Sequence, residues 1–354
     1  MVQAGWLSFY RAYSILLRFL LSAVPFSVGD LYYLLIAGFF LIETWLIIKL
    51  VFSRHEKLKS RMISKKIFSI LLVLFLIYLQ FLVSWGLNYR YRSYISESKL
   101  LVLPPKTEAV DSLCQYLVKS CIHDKLVMAN NPETAQCNAL AIFNHAKFRY
   151  LDVSQKHGYL TDTYQKKHMP GLILQYPARI SLKPSLYSSL MNYMGVSGYF
   201  NPFTGEAQVN QQIPSVELPF TSCHEIAHEL GYGFEYEANF IGYLVSTSDN
   251  DMSFNYSGHL EALMYALPEL RSRDSLAFKK IIKTLSPAII TDIRNDLFYW
   301  RKYRGSTEKL ISFFYTGYLK ANKQPQGMQS YSDLVPLLCA YYKKYGYNSV
   351  TGVH

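Results

Sequence analysis

The stretch TSCHEIAHELGYGFEYEANF, residues 221–240, holds two histidines four positions apart with a glutamate directly after the first. On a helix, His224 and His228 lie one above the other, so their imidazole nitrogens can bind one ion at about 2.0 to 2.1 Å. The Glu225 carboxylate then lies beside that ion, where it can take a proton from water and give it to a leaving group. This HExxH pattern predicts one catalytic Zn²⁺, with Glu225 as the general base and then the general acid.

The same letters allow a purely structural interpretation. Ser222-x-x-Glu225 matches a capping box, in which Glu225 would lie in the first turn of a helix and the two histidines would be surface groups. At this composition an HExxH string arises by chance in roughly one chain per hundred. A third ligand decides between the interpretations, because a catalytic zinc needs three from the protein.

Candidates for the third ligand follow the motif directly. Gly231 can end the helix in a left-handed turn and return the chain toward the ion. The next helical run opens with EYEAN, in which Glu235 and Asn239 share a face. Glu235 is a candidate ligand, and Asn239 can orient a ligand histidine through its free ring nitrogen. Glu237 is the alternative ligand, since either acid could instead be a solvated surface group.

Three more residues are weaker candidates. Glu261 ranks third as a ligand, because one turn later it has Tyr265 rather than an aspartate or asparagine. Tyr256 and Tyr265 could stabilise an oxyanion, but in a chain with 30 tyrosines most of them serve as packing residues.

Two apolar runs, residues 31–52 and 67–87, match the roughly 20 residues that a transmembrane helix needs. Glu43 is the acid within the first run. Residues 6–26 gather their polar side chains on one helical face, which predicts a helix lying in the membrane interface. These polar residues are Arg11, Ser14, Arg18 and Ser22.

The loop between the two runs, SRHEKLKSRMISKK, is rich in lysine and arginine, with one acid, Glu56. Such loops stay in the cytoplasm, so both the N-terminus and the chain after residue 87 are expected outside it. The net charge of +11 is attributed to the membrane, since no basic stripe accompanies a nucleic-acid-binding module. The predicted partners are therefore the lipid bilayer and a peptide or protein substrate, with no nucleic acid.

The chain divides into a membrane anchor at 1–92, a proline-containing linker at 93–112 and a catalytic domain at 113–354. We expect an α+β fold with a small mixed sheet, an active-site helix and a helical C-terminal half. Predicted elements before the motif are a helix at 134–149, strands at 171–176 and 179–183, and a hairpin of 196–200 with 206–210. A strand edge beside the active-site helix can bind an extended peptide.

HExxH followed by E-x-x-A-N resembles the gluzincin metallopeptidases. PFTGEAQVN, PFTSCHEIAHELGYGFEYEANFIGYL and NYSGHLEALMYAL resemble an uncharacterised family of bacterial membrane proteins usually grouped with those peptidases. The likeness extends to PFSVGDLYY near the start and YLKANKQPQGMQSYSDLV near the end. It implies a zincin-like domain on a membrane anchor, and matching E-x-x-A-N to the peptidase pattern favours Glu235 over Glu237 as the third ligand. Together with the charge of the loop, it predicts a bacterial inner membrane protein whose catalytic domain lies in the periplasm or another extracytoplasmic space. The short spacing between His228 and Glu235 departs from the gluzincin pattern and is nearer to the layout of metzincins.

The expected function is hydrolysis of peptide bonds outside the cytoplasm by a membrane-anchored zinc metallopeptidase. The alternative is a non-catalytic zincin fold that serves as an envelope-assembly or binding module. A weaker third possibility is hydrolysis of a cell-wall amide by the same water chemistry. The resemblance implies no substrate, and the sequence carries no signal for the oligomeric state.

Overall fold

The computed structural model describes residues 2–53, 56–91, 93, 95, 98, 100–130, 138–156, 180–248, 250–322, 324 and 333–347. This part of the chain is mostly helical and contains a three-stranded mixed sheet. The predicted combination of a small sheet with a helical C-terminal half is confirmed. The strand predicted at 171–176 lies outside the described residues.

The N-terminal region is helical. Its elements are α1 (Val2–Leu21), α2 (Val28–Val51), α3 (Glu56–Phe81), a π-helical turn (Leu82–Gly86) and α4 (Asn88–Tyr91). Both α2 and the continuous stretch Lys59–Tyr91 are long and apolar enough to cross a membrane. Their apolar side chains stay largely exposed, Leu35 by 74%, which fits contact with lipid better than a place in a core. The two predicted runs thus correspond to two candidate membrane-spanning helices.

Helices α2 and α3 form an antiparallel pair. The Tyr32 hydroxyl near the start of α2 donates to Gln80 Oε1 near the end of α3 at 2.8 Å. Further along, Lys66 Nζ donates to Glu43 Oε1 at 3.1 Å. Glu43 therefore faces the second helix, where a cation offsets the cost of a charge in an apolar segment. The loop rich in lysine and arginine lies at the end of the pair away from Tyr32 and Gln80.

Helix α1 has the predicted two faces, but its polar face turns toward the protein. Ser14 and Arg18 are buried, whereas Phe19 and Leu20 are more than half exposed. Arg18 Nε lies 3.8 Å from Glu229 Oε1 on the motif helix. The expectation that this polar face meets the membrane surface is wrong for Arg18, because a buried carboxylate compensates its desolvation.

The remaining elements alternate short strands with helices. They are α5 (Thr107–Asn130), α6 (Ala139–Lys156), β1 (Leu182–Pro184), α7 (Ser188–Met194), β2 (Gly198–Asn201), β3 (Glu206–Val209), α8 (Leu218–Glu229), α9 (Glu235–Ser246), α10 (Met252–Arg273), α11 (Ser275–Thr284), α12 (Pro287–Tyr303), α13 (Ser306–Ala321) and α14 (Leu334–Tyr345). The Ser286 hydroxyl caps α12 at the predicted Ser-Pro start, by accepting from Ile289 N. The main core forms where α5, α8, α9 and α10 pack together.

The sheet has the order β1-β3-β2, with β1 parallel and β2 antiparallel to β3. The β2–β3 hairpin confirms the sequence prediction, and its turn places Gly205 at φ +68°, a conformation that favours glycine. Strand β2 is one of the two edge strands, and α8 packs against both β2 and β3. The motif helix therefore lies next to a strand that pairs on one side only.

Buried charges connect the sheet to the start of α2. Glu206, with no exposed surface, accepts from Gly29 N, and Lys183 Nζ donates to it at 2.5 Å. Lys183 also donates to Leu21 O and Phe26 O in the connection between α1 and α2. The division of the chain at 92 and 112 stays a prediction, but the described residues on its two sides are in direct contact.

We predict that Glu206→Ala strongly destabilises the protein, because it leaves the Lys183 ammonium buried without its carboxylate. The expected loss is about 3 to 5 kcal/mol, seen as a lower melting temperature of the detergent-solubilised chain. Glu269→Ala is the matched control, because it removes the partly exposed pair with Arg273 and should cost only about 0 to 1 kcal/mol. Equal shifts for the two variants would contradict the prediction.

Candidate metal centre

Helix α8 carries the HExxH residues in its interior. The helix begins at Leu218 with a proline in its first turn, and the Ser222 hydroxyl donates to Leu218 O at 2.7 Å. Ser222 is therefore one turn inside the helix and does not cap it. The capping-box interpretation is wrong, since the polar side chains of residues 222–229 point into a buried environment.

A left-handed turn ends α8, as predicted at Gly231. Gly231 has φ +98°; its N–H donates to His228 O at 2.7 Å, and the Tyr232 N–H donates to Ala227 O at 3.2 Å. These two bonds are those of a Schellman motif. The turn leaves the Tyr232 carbonyl facing the His228 ring and directs the chain into α9, whose first residue is Glu235.

Three ligand atoms converge at this turn. His224 Nε2 and His228 Nε2 are 3.0 Å apart, and Glu235 Oε2 lies 3.4 Å from each of them. Ligands bound tetrahedrally to zinc at about 2.0 to 2.1 Å lie about 3.3 to 3.4 Å from one another. All three residues are buried. The donor set and its spacing therefore fit one Zn²⁺.

The outer ring nitrogens of the histidines have polar neighbours. His228 Nδ1 lies 2.7 Å from the Tyr232 carbonyl oxygen, which assigns the proton to Nδ1 and leaves the Nε2 lone pair for a metal. Asn239 lies one turn after Glu235, and its carboxamide acts to raise the pKa of His224. Neither His224 Nδ1 nor Asn239 Nδ2 has a hydrogen bond of standard geometry. Asn239 therefore lies close to His224, and its role in orienting that ring stays a prediction.

Glu225 lies beside the histidines without joining their contact with Glu235. Ligand-type atoms of His224, Glu225 and His228 lie within 4.8 Å of one another. Burial raises the pKa of Glu225 to about 8, and its Oε2 has no hydrogen-bond partner among the described residues. A Cβ added to Gly198 at the start of β2 would lie 2.5 Å from Glu225 Oε1. Only glycine allows this edge strand so close to the carboxylate.

The charges of the three converging groups are coupled. Burial lowers the pKa of His224. Burial also acts to lower the pKa of His228, but the Glu235 carboxylate outweighs it and raises this pKa to about 9. Although burial acts to raise the pKa of Glu235, the two imidazoles hold it well below its usual value. Without a metal, the cluster is therefore an ion pair between Glu235 and protonated His228.

The two alternative acidic ligands point elsewhere. Glu237 lies about 200° around α9 from Glu235, and its Oε1 accepts from Ser93 Oγ at 2.5 Å and from Ile95 N at 3.2 Å. The alternative assignment of Glu237 as a metal ligand is therefore wrong in this structure. Glu261 lines a neighbouring pocket with Glu217 and Asp296, where burial raises its pKa to about 7.

The two candidate tyrosines are in different surroundings. The Tyr256 hydroxyl donates to Asp292 Oδ2 at 2.6 Å, in a cluster that also contains Lys125. Tyr265 lies beside Asn239, and burial, followed by the charges of Glu261 and Glu235, raises the pKa of its hydroxyl. Of the two, Tyr265 is near the metal centre, whereas the Tyr256 hydroxyl is engaged with Asp292.

Residues far away in sequence complete the surroundings of the centre. The Tyr315 hydroxyl on α13 donates to Glu235 Oε1 at 2.6 Å, and Gln324 Oε1 accepts from Glu235 N at 3.3 Å. The Trp85 ring in the π-helical turn lies edge-on to His228, with 6.2 Å between the ring centroids. No role in the site was predicted for these three residues, since no spacing relates them to residues 221–240. Gln324 lies in the stretch YLKANKQPQGMQSYSDLV and Trp85 in the apolar run 67–87, but neither pattern indicates a contact with the motif.

Taken together, the site is a buried cluster of two histidines and a carboxylate, with a second carboxylate beside it, in a helical protein with two candidate membrane spans. Residues 7–339 match the family described as "Protein of unknown function (DUF3810)", and the chain belongs to this family. Neither a curated protein nor a solved structure matches the chain.

We predict that Glu235→Gln sharply lowers zinc affinity, since the amide removes the anionic ligand. The loss should exceed the roughly 10- to 100-fold that removal of an outer-shell partner costs, measured by chelator competition on the purified full chain. Glu237→Gln is the matched control on the same helix and should keep the affinity of the unmodified chain. If the Glu237 variant lost as much affinity as the Glu235 variant, the ligand assignment would be wrong.

We also predict that zinc affinity increases with pH. His228 carries a proton below its metal-free pKa of about 9, and a bound metal must displace that proton. The apparent affinity should therefore increase from pH 6 to pH 9, where this competition weakens. Chelator competition corrected for protonation of the chelator measures the slope, and a flat profile would contradict the prediction.

Proposed function

We propose that this chain is a membrane-anchored, zinc-dependent metallopeptidase with a zincin-like domain, which hydrolyses peptide bonds outside the cytoplasm. The observation that carries the proposal is the convergence of His224 Nε2, His228 Nε2 and Glu235 Oε2 within 3.4 Å of one another. A desolvated carboxylate, Glu225, lies beside them. This is the set of groups that metal-assisted hydrolysis requires.

The neighbouring strand supports a peptide as the substrate. Strand β2 pairs with β3 on one side only and runs past Glu225 at Gly198. An extended peptide can add to such an edge through its backbone, which would bring one of its carbonyl groups near the cluster. Because these contacts are with the backbone, they favour a polypeptide over a compact small molecule.

The side chains have separate roles in this proposal. His224, His228 and Glu235 would hold the ion, whose Lewis acidity polarises a carbonyl and makes water more acidic. Glu225 would accept a proton from water and pass it to the leaving amine, because its raised pKa suits both directions of transfer near neutral pH. The Tyr232 carbonyl, Asn239 and Tyr315 would hold the ligand side chains in place.

The location outside the cytoplasm is supported by the antiparallel pair of candidate spans. Their ends at Tyr32 and Gln80 lie on the side of the sheet and the metal centre, whereas the basic loop lies at the opposite end. Loops rich in lysine and arginine remain in the cytoplasm, so the centre would lie across the membrane from it.

The proposal predicts that the purified full chain contains about one zinc per chain and that Glu225→Gln keeps the zinc while hydrolysis decreases by about 10² to 10⁴-fold. Metal content is measured by elemental analysis, and cleavage by mass spectrometry of a proteome-derived peptide mixture incubated with the protein. A metal-free wild type would contradict the zinc centre. A wild type that binds zinc but shows no Glu225-dependent cleavage of peptides would favour one of the two other functions, a non-catalytic binding module or hydrolysis of a cell-wall amide.

We further predict that Gly198→Ala slows hydrolysis without releasing zinc, because the new methyl group must displace the Glu225 carboxylate and not the ligands. The same cleavage and metal assays apply. Gly317→Ala on α13 is the matched control, since a Cβ there meets nothing within 4 Å and should leave the rate unchanged. Equal rates for the two variants would show that the approach of β2 to Glu225 has no role in the reaction.

A further inference from the structure

Helix α13 has an inner face on the metal centre and an outer face that is exposed and apolar. On the inner face, Tyr315 binds Glu235 and Leu319 is fully buried. On the outer face, Leu310, Phe313 and Phe314 are 56%, 73% and 63% exposed. Because these three large apolar side chains are neighbours on one helix face, they form a contiguous apolar patch. Such a patch indicates a contact surface, whereas single exposed apolar residues do not.

The inner face of α13 also touches the second candidate span. The rings of Tyr318 and Phe81 meet edge-on with 6.0 Å between centroids, and the Tyr318 hydroxyl lies 2.9 Å from the Tyr89 hydroxyl. Phe81 precedes the end of the apolar run 67–87 by six residues, which is about 9 Å of helix. Helix α13 therefore packs against a part of α3 that belongs to the apolar run.

A second exposed apolar group lies beside the first span. Leu186 and Leu190, before and within α7, are 56% and 53% exposed. The Leu186 N–H donates to Asp30 Oδ2 at 2.6 Å, and the Tyr187 hydroxyl donates to Asp30 O at 2.9 Å. Asp30 directly precedes the apolar run 31–52. Helices α7 and α13 pack on each other, so their exposed groups are parts of one side of the protein.

Basic residues flank these apolar groups. The last turn of α12, the residue that follows it and the first turn of α13 carry exposed cations, whose charge complements anionic lipid headgroups. These cations are Arg301, Lys302, Arg304 and Lys309. Apolar side chains next to lysine and arginine on one face are typical of helices that lie in the membrane interface.

We propose that α7 and α13 rest in the headgroup region of the bilayer around the two spans. Their lipid-contact surface consists of Leu186, Leu190, Leu310, Phe313 and Phe314. The elements that carry this surface contact both spans, at Asp30 and at Phe81, and the spans themselves expose apolar side chains, which identifies lipid as the occupant. It places the metal centre at the bilayer surface, since α13 reaches both Phe81 and Glu235.

This position defines a substrate class for the proposed peptidase, and this step rests on the proposed function. Trp85 lies two residues before the end of the apolar run and contacts both His228 and Phe200 of the edge strand. A peptide bound along β2 would therefore lie within reach of the membrane. The expected substrate is a polypeptide segment tethered close to the bilayer, such as the region flanking a membrane span.

The lipid-contact surface is tested by quenching in vesicles. Phe313→Cys and Leu190→Cys variants of the full chain, made in a Cys137→Ser background, are labelled with an environment-sensitive fluorophore. The four cysteines that the structure describes are buried and do not compete for the label. The proteins are reconstituted in vesicles of phosphatidylcholine and phosphatidylglycerol, with and without bromine atoms on the upper acyl chain. Leu276→Cys on α11, 71% exposed, is the matched control.

The proposal expects brominated lipid to reduce the emission of labels at 313 and 190, but not at 276. Equal emission with and without bromine at 313 and 190 would overturn it. Labels that are shielded from aqueous iodide but not quenched by bromine would show that protein, such as a second copy of the chain, covers the surface. Quenching needs neither zinc nor activity, so failure of this proposal is distinguishable from failure of the proposed function.

A tethered substrate is tested separately, by comparing cleavage of one peptide with and without a lipid anchor on the same vesicles.

Discussion

The left-handed turn at Gly231 is the constraint on which the metal centre depends. With φ at +98°, this residue reverses the chain directly after the second histidine, so α9 starts close enough for Glu235 to face both imidazoles. The same turn presents the Tyr232 carbonyl to His228 Nδ1. A side chain at position 231 would be strained in this conformation. The ligand spacing and the ring orientation therefore both follow from one backbone reversal.

Buried charge pairs connect the N-terminal helices to the candidate site. Arg18 on α1 lies against Glu229, the residue after the second histidine, and Lys183 and Glu206 bind the backbone around the start of α2. Buried pairs contribute little net stability compared with apolar packing, but losing one partner is costly. They therefore favour one position of the N-terminal helices relative to α8. With Trp85 beside His228, the end of the second candidate span forms one wall of the metal centre.

Several buried polar atoms around the histidines lack a hydrogen-bond partner in the described part of the chain. Among the described residues, Glu225 Oε2, His224 Nδ1 and Asn239 Nδ2 are buried without a hydrogen-bond partner of standard geometry. Leaving one such group without a hydrogen bond costs about 1 to 3 kcal/mol of folding stability, and the packing of the site gives no reason for this cost. A bound ion, water or substrate group would satisfy them. The cost is therefore consistent with a site arranged for a ligand, and it agrees with the raised pKa of Glu225.

The sequence by itself determined the features that depend on local spacing. His224 and His228 share a helix face, and Gly231 ends that helix. The β2–β3 hairpin precedes it, and the two apolar runs form long helices. Each of these patterns depends on the backbone conformation of residues that are close together in the sequence. Only the tertiary structure decided between Glu235 and Glu237, which differ by where α9 lies relative to α8. It also brought Arg18 and Tyr315 to the motif from distant parts of the chain. Such contacts arise from packing of whole helices, which no spacing along the chain encodes.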